Sequence, residues 1–158
     1  LTNYPTIHNT HPNPRSNKEI PMNKIQTKRL EKMATHLETG KLGHENFYFA
    51  AINMGEMDKK GCGTLGCAIG ELPIVFPRSW EFDSLFVKIK KSNSQSYRED
   101  LLSWFGLRKL EANHLFYPDV QRVKMFGGKR LYGTATKEQV ASNIRAFLKI
   151  KTNEGNNP

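Results

Sequence analysis

Cys62 and Cys67 are the only cysteines of the chain, and their C-x4-C spacing admits three kinds of chemistry. A structural zinc site uses closely spaced thiolates together with a second pair of ligands. Here that pair would come from His36, His44 or His114, all remote in sequence, and no H-x3–5-H pair stands near the cysteines. A thiol just ahead of a helix is acidified by the helix dipole, and Cys62 precedes a possible helix cap at Thr64. A cysteine nucleophile also needs a positioned base, and nothing in the sequence brings His44 or His114 to it. A disulfide requires the intervening loop to fold back and an oxidising compartment. The two residues read best as a buried structural pair in a reduced, intracellular chain.

Carboxylate pairs offer little more. Glu56 with Asp58, Glu81 with Asp83, and Glu99 with Asp100 are local, surface-like pairs. Acid–base catalysis needs environments that push two pKa values apart. Gly61-Cys-Gly-Thr and Gly127-Gly-Lys-Arg lack the established phosphate-loop patterns. No catalytic residue, metal or cofactor is expected. Gly127-Gly128-Lys129-Arg130 can still grip a phosphate through backbone amides and charge.

The formal charge of +9 is unevenly spread. Residues 120–158 hold eight Lys/Arg against two Asp/Glu, whereas residues 61–119 hold seven of each. A basic region of this kind suits nucleic acid, an acidic protein or an anionic surface. The candidate contacts are Arg122, Lys124, Lys129, Arg130, Arg145 and Lys149. No run approaches the roughly 18 apolar residues of a membrane-spanning helix.

The elements that must position these residues follow from periodicity. Leu30, Met33, Ala34 and Leu37 recur at helical spacing, predicting a helix over 23–39 that Gly40 stops. The aromatic block Phe47–Ile52 fits either a strand or a buried helical turn. Thr64 predicts a capped helix running to Leu72, with Leu65, Ala68, Ile69 and Leu72 on one face and Gly66 and Gly70 one turn apart. Glycine inside a helix costs up to about 1 kcal/mol each, so close packing must offset the loss. Leu85–Ile89 alternates weakly and fits strand or helix. Tyr97–Phe105 and Leu110–Phe116 read as two helices joined at Gly106. Gly127-Gly128 between apolar-polar runs predicts a basic hairpin over 120–132, because a primed turn needs positive φ at both central residues. Thr136 with Gln139 predicts a capping box opening the last helix. Val140, Ile144, Phe147 and Leu148 form its buried stripe.

The order of these segments resembles a family of small phage, prophage and bacterial proteins. The likeness rests on Cys62-Gly-Thr-Leu-Gly-Cys67-Ala-Ile-Gly70, on Trp104-Phe105-Gly106-Leu107 with Glu111-Ala112 and Leu115-Phe116, and on Thr136–Val140 with Ile144 and Phe147-Leu148. It spans roughly residues 23–150 and implies no catalytic residues.

The expected fold is therefore mainly α. It comprises one small helical domain over 23–151 with one short β-hairpin, an extended N-terminal arm over 1–22, and a polar tail over 152–158. Cys62, Thr64, Gly66, Cys67, Gly70, Trp104, Phe105, Leu115, Phe116, Ile144 and Phe147 are the expected structural core. Residues 1–21, rich in Asn and Pro, are expected to contact other protein subunits. Three functions fit: a non-enzymatic structural or assembly protein of a phage or related element, a nucleic-acid-binding accessory protein, and a thiol enzyme centred on Cys62. The expected location is the bacterial host cytoplasm or the virion.

Overall fold

Asn23 begins the first helix by exchanging hydrogen bonds with Gln26. The Asn23 side chain accepts from the Gln26 amide at 2.9 Å, and the Asn23 amide donates to Gln26 Oε1 at 3.0 Å. Helix α1 then runs Lys24–Thr39 and ends at Gly40, whose φ of 74° is the left-handed value that glycine adopts without strain. In this computed structural model the described residues are 21–43, 46–47, 53–54, 65–83, 86–94, 96–117, 126–132 and 134–154. The expected arm lies outside them except for Pro21 and Met22, which carry no regular structure.

The described elements confirm a mainly α fold with one short hairpin. Short strands β1 (Asn46–Phe47), β2 (Asn53–Met54) and β3 (Leu65–Gly66) make a small sheet in the order β1-β3-β2. The central β3 is parallel to β1 and antiparallel to β2. Helix α2 (Leu72–Val75) follows, then the antiparallel hairpin of β4 (Trp80–Asp83) and β5 (Phe86–Ile89). Helices α3 (Tyr97–Phe105), α4 (Lys109–Phe116) and α5 (Lys137–Glu154) complete the order.

Helices α1 and α5 lie antiparallel against each other. Lys137, opening α5, donates from Nζ to the Leu37 carbonyl near the end of α1 at 3.1 Å. A cation there also complements the negative end of the α1 dipole. Between the two helices Leu30, Met33, Ala34 and Leu37 meet Val140, Ala141, Ile144 and Phe147, all fully buried. Burying each large side chain of this set contributes about 1.5–3 kcal/mol. A second nucleus forms where α3, α4 and α2 converge. Phe105 stacks on Phe116 at 5.8 Å and meets Phe76 edge-on at 6.4 Å.

Three expectations are corrected. Residues 64–72 do not form one helix: Leu65–Gly66 is strand, residues 68–71 form a turn, and helix begins only at Leu72 with Pro73 in its first turn. The Gly66–Gly70 spacing thus serves a strand and a tight turn rather than one helical face. The hairpin is not at 120–132 in its described half, since residues 126–132 contain no strand. It is β4–β5 instead, with Trp80 opposite Ile89. The polar tail is shorter than expected, because α5 continues to Glu154.

Of the expected core, Cys67, Gly70, Phe105, Leu115, Phe116, Ile144 and Phe147 are buried. Trp104 is half-buried at the rim, with its ring 5.8 Å from Phe76 and 6.0 Å from Trp80. Gly66 lies in β3, and Cys62 and Thr64 lie outside the described residues. No helix among the described residues is long and apolar enough to cross a membrane.

Candidate nucleic-acid interface

The basic segment after residue 126 is laid onto α5 by one apolar anchor and one carboxamide. Phe126 is buried between His114 at 6.1 Å and the edge of Phe147 at 6.3 Å. Burial lowers the His114 pKa, with the Gly127 backbone opposing, so the ring supporting Phe126 is held neutral. Gly127 and Gly128 follow with φ of 85° and 70°. Both conditions of a primed turn are met, yet the turn does not join two strands over the described residues. It presses the backbone against α5: a Cβ on Gly127 would stand 2.7 Å from Ile150 Cδ1, and one on Gly128 would overlap the Asn143 carboxamide.

Asn143 explains why no strand is needed there. The residue is 2% exposed. Its Oδ1 accepts the Lys129 amide at 2.8 Å, and its Nδ2 donates to the Lys129 carbonyl. One carboxamide thus supplies both hydrogen bonds that a partner strand would have made. Replacing Asn143 with alanine is expected to cost about 2 kcal/mol, two net hydrogen bonds. Urea unfolding checks this, and faster amide exchange at Lys129 should accompany the loss.

Beyond Lys129 the side chains alternate. Leu131 turns into the core while Arg130 and Tyr132 turn out, with Tyr132 62% exposed. The Arg130 guanidinium lies 5.6 Å from the Tyr132 ring centre. Thr136 and Gln139 then form the expected capping box: the Thr136 amide donates to Gln139 Oε1 at 2.8 Å and the Gln139 amide to Thr136 Oγ1 at 3.3 Å. Between this segment and the first half of α5 runs an open groove of about 650 Å³. Lys129, Arg130 and Tyr132 form one wall, and Gln139, Ser142 and Asn143 form the other. Glu138 also lines it, but is paired to Lys137 at 2.8 Å. The hydrogen bond from Lys137, with help from the Glu138 amide and Thr136, holds the Glu138 pKa down at about 2. The one carboxylate lining the groove therefore already has its counter-charge.

The six candidate contacts divide accordingly. Lys129 and Arg130 stand together in the groove wall. Lys149 is exposed on α5, seven residues after Ser142 and so on the same face. Arg145 faces α1, where it donates to both Glu38 carboxylate oxygens at 3.1 and 2.9 Å and to Thr35 at 2.8 Å. Arg122 and Lys124 lie outside the described residues. Tyr132 is the residue that sequence reasoning passes over. Its only signal is the alternation Arg130-Leu131-Tyr132, which places it beside the charge.

The cysteine chemistry looks different in three dimensions. Cys67 is a free, buried thiol. Burial pushes its pKa up to about 11, although the Gly70 and Ile69 backbones oppose the rise. It is protonated at neutral pH and a poor nucleophile. Among the described residues the histidine at this turn is His36, while His114 packs on Phe126 and His44 lies outside them. The His36 Nε2 lies 2.7 Å from the buried carboxylate of Glu71, which also accepts the Gly43 amide at 2.9 Å. The carboxylate ties α1 to the turn that follows Cys67.

Comparison with protein-family models, with curated proteins and with solved structures finds no match to this chain.

Proposed function

We propose that this protein is an accessory factor that binds single-stranded nucleic acid along the groove between residues 128–136 and α5. The observation that carries this reading is Tyr132, an exposed ring flanked by Lys129 and Arg130 on a backbone fixed by Asn143. Single-strand binders combine a basic track for the phosphates with aromatic faces on which bases stack. Lys149 continues the track along α5. A location in a bacterial host or virion accords with the resemblance carried by residues 62–70. Assembly through residues 1–21 remains the alternative role, and of that segment only Pro21 lies within the described residues.

The test is oligonucleotide affinity measured against salt. Lys129→Gln with Arg130→Gln is expected to reduce the log–log salt slope by about 1.4, two phosphates at roughly 0.7 each. Tyr132→Ala is expected to weaken binding by about 1–3 kcal/mol with little change of slope. No measurable affinity at low salt, or binding of an acidic polypeptide in preference to the oligonucleotide, overturns the proposal.

A further inference from the structure

A second cleft, of about 270 Å³, opens between α3 and α4 on elements separate from the groove. Its polar lining is Ser96, Arg98, Glu99, Lys109, Asn113 and Tyr117. Several of these groups have no side-chain partner among the described residues. Asn113 is 8% exposed, its carboxamide opens on the cleft, and it has no hydrogen-bond partner among the described residues. The Tyr117 hydroxyl is buried and likewise unpaired. Ser96 stands at the N-cap of α3 without the side-chain hydrogen bond that an N-cap serine ordinarily makes. Lys109 is exposed and has no carboxylate partner among the described residues. Arg98 lies over the Tyr117 ring at 4.4 Å.

Burying an unpaired hydroxyl is costly, and Asn113 spends a largely buried position on a carboxamide without a partner among the described residues. A chain under selection for stability alone would fill Asn113 with leucine. The groups facing the cleft are mostly donors: an ammonium, two hydroxyls, a carboxamide, and a guanidinium of which only Nε is engaged, by the Tyr97 hydroxyl at 3.5 Å. Together they suit an acceptor-only ligand with several oxygens. Glu99 is the single opposing charge, and Ser94 Oγ donates to it at 3.4 Å.

We propose that the α3–α4 cleft binds a phosphate group, with Asn113 and Tyr117 at its floor and Arg98 and Lys109 at its mouth. Burial and then the neighbouring Tyr97 push the Tyr117 pKa far up, so its hydroxyl remains a donor throughout the working pH range. The volume exceeds a phosphate alone, leaving room for the group to which it is esterified.

The experiment is a titration of the full chain followed by amide NMR shifts, inorganic phosphate against chloride at equal ionic strength. Phosphate-specific shifts at residues 96–99 and 109–113 are expected. A second arm compares 5′-phosphorylated with 5′-hydroxyl oligonucleotides. Stronger binding of the phosphorylated strand identifies a nucleic-acid end as the source, and equal binding alongside an inorganic-phosphate response identifies a free phosphorylated molecule. Lys109→Gln, on an exposed side chain, leaves the fold intact and is expected to weaken phosphate about tenfold. Asn113→Leu is expected to abolish the phosphate response while raising the melting temperature, the signature of a polar group kept at the expense of stability. Identical shifts with phosphate and chloride, or unchanged phosphate affinity in both variants, overturn the proposal. The Lys129/Arg130 variant should retain the phosphate response, so failure of the groove reading is distinguishable from failure of this one.

Discussion

Replacing Glu111 with alanine is expected to destabilise the protein by about 3–5 kcal/mol, the usual cost of leaving a buried charge without its partner. Glu111 is 2% exposed. Its Oε1 accepts from Arg108 Nη2 at 2.7 Å and lies 3.0 Å from Lys151 Nζ, while Oε2 accepts the Arg108 amide at 2.8 Å. Lys151 is itself 8% exposed on its side chain and cannot recover its hydration without opening the α4–α5 contact. Burial alone would raise the Glu111 pKa, but the hydrogen bonds from Arg108 and Lys151 hold it below the ordinary value. A carboxylate depressed in the folded state stabilises above its unfolded pKa, near 4.3. That contribution disappears as pH falls through the folded value. Urea unfolding of wild type and Glu111→Ala should therefore differ most at pH 7 and converge progressively at pH values below about 4. A constant difference across that range would rule out the linkage.

The second large effect is expected at Phe105. Truncation to alanine removes a fully buried ring shared by α3, α4 and the segment after α2, at a cost of about 3–5 kcal/mol. Phe86 is the control. It is stacked on Tyr97 at 5.6 Å but is more than half exposed, so its truncation should cost about 1 kcal/mol or less. Equal midpoints for the two variants in guanidinium unfolding would contradict the position assigned to Phe105 as the centre of its nucleus.

Helices α1, α3, α4 and α5 are legible in the sequence because each carries an apolar stripe at helical spacing. Their ends are legible for local reasons as well: Gly40 and Gly106 take positive φ, and Thr136 and Gln139 sit three residues apart. The 64–72 segment misleads because Leu65, Ala68, Ile69 and Leu72 satisfy helical spacing while belonging to a strand, a turn and a helix in succession. The β4–β5 hairpin is illegible for the opposite reason. Trp80, Phe82, Val87 and Ile89 share one face through the strand register, but Ser84-Leu85 between the strands carries no turn signal. Gly127-Gly128 carries that signal and adopts the expected φ values, and only the presence of Asn143 on a later helix shows that the turn has another use. In the groove, Lys129 and Arg130 are legible as charge. Arg145 cannot be told from them in one dimension, since its Glu38 partner is 107 residues away. The pairing of the Arg29 guanidinium with the Trp104 ring at 3.4 Å, and with the Trp104 carbonyl at 2.8 Å, is hidden by the same kind of distance.

The antiparallel seam between α1 and α5 joins the first described helix to the last. During synthesis on the ribosome, α1 emerges with its Leu30–Met33–Leu37 stripe complete but its cover more than 100 residues away. Helices α2 and α3 also pack on α1, but the part of the stripe that α5 covers stays open until α5 is made. An open apolar stripe of this kind is exposed to chaperones and to other nascent chains. Because α5 supplies that cover, the groove and the basic segment lying on it are completed together with this part of the core.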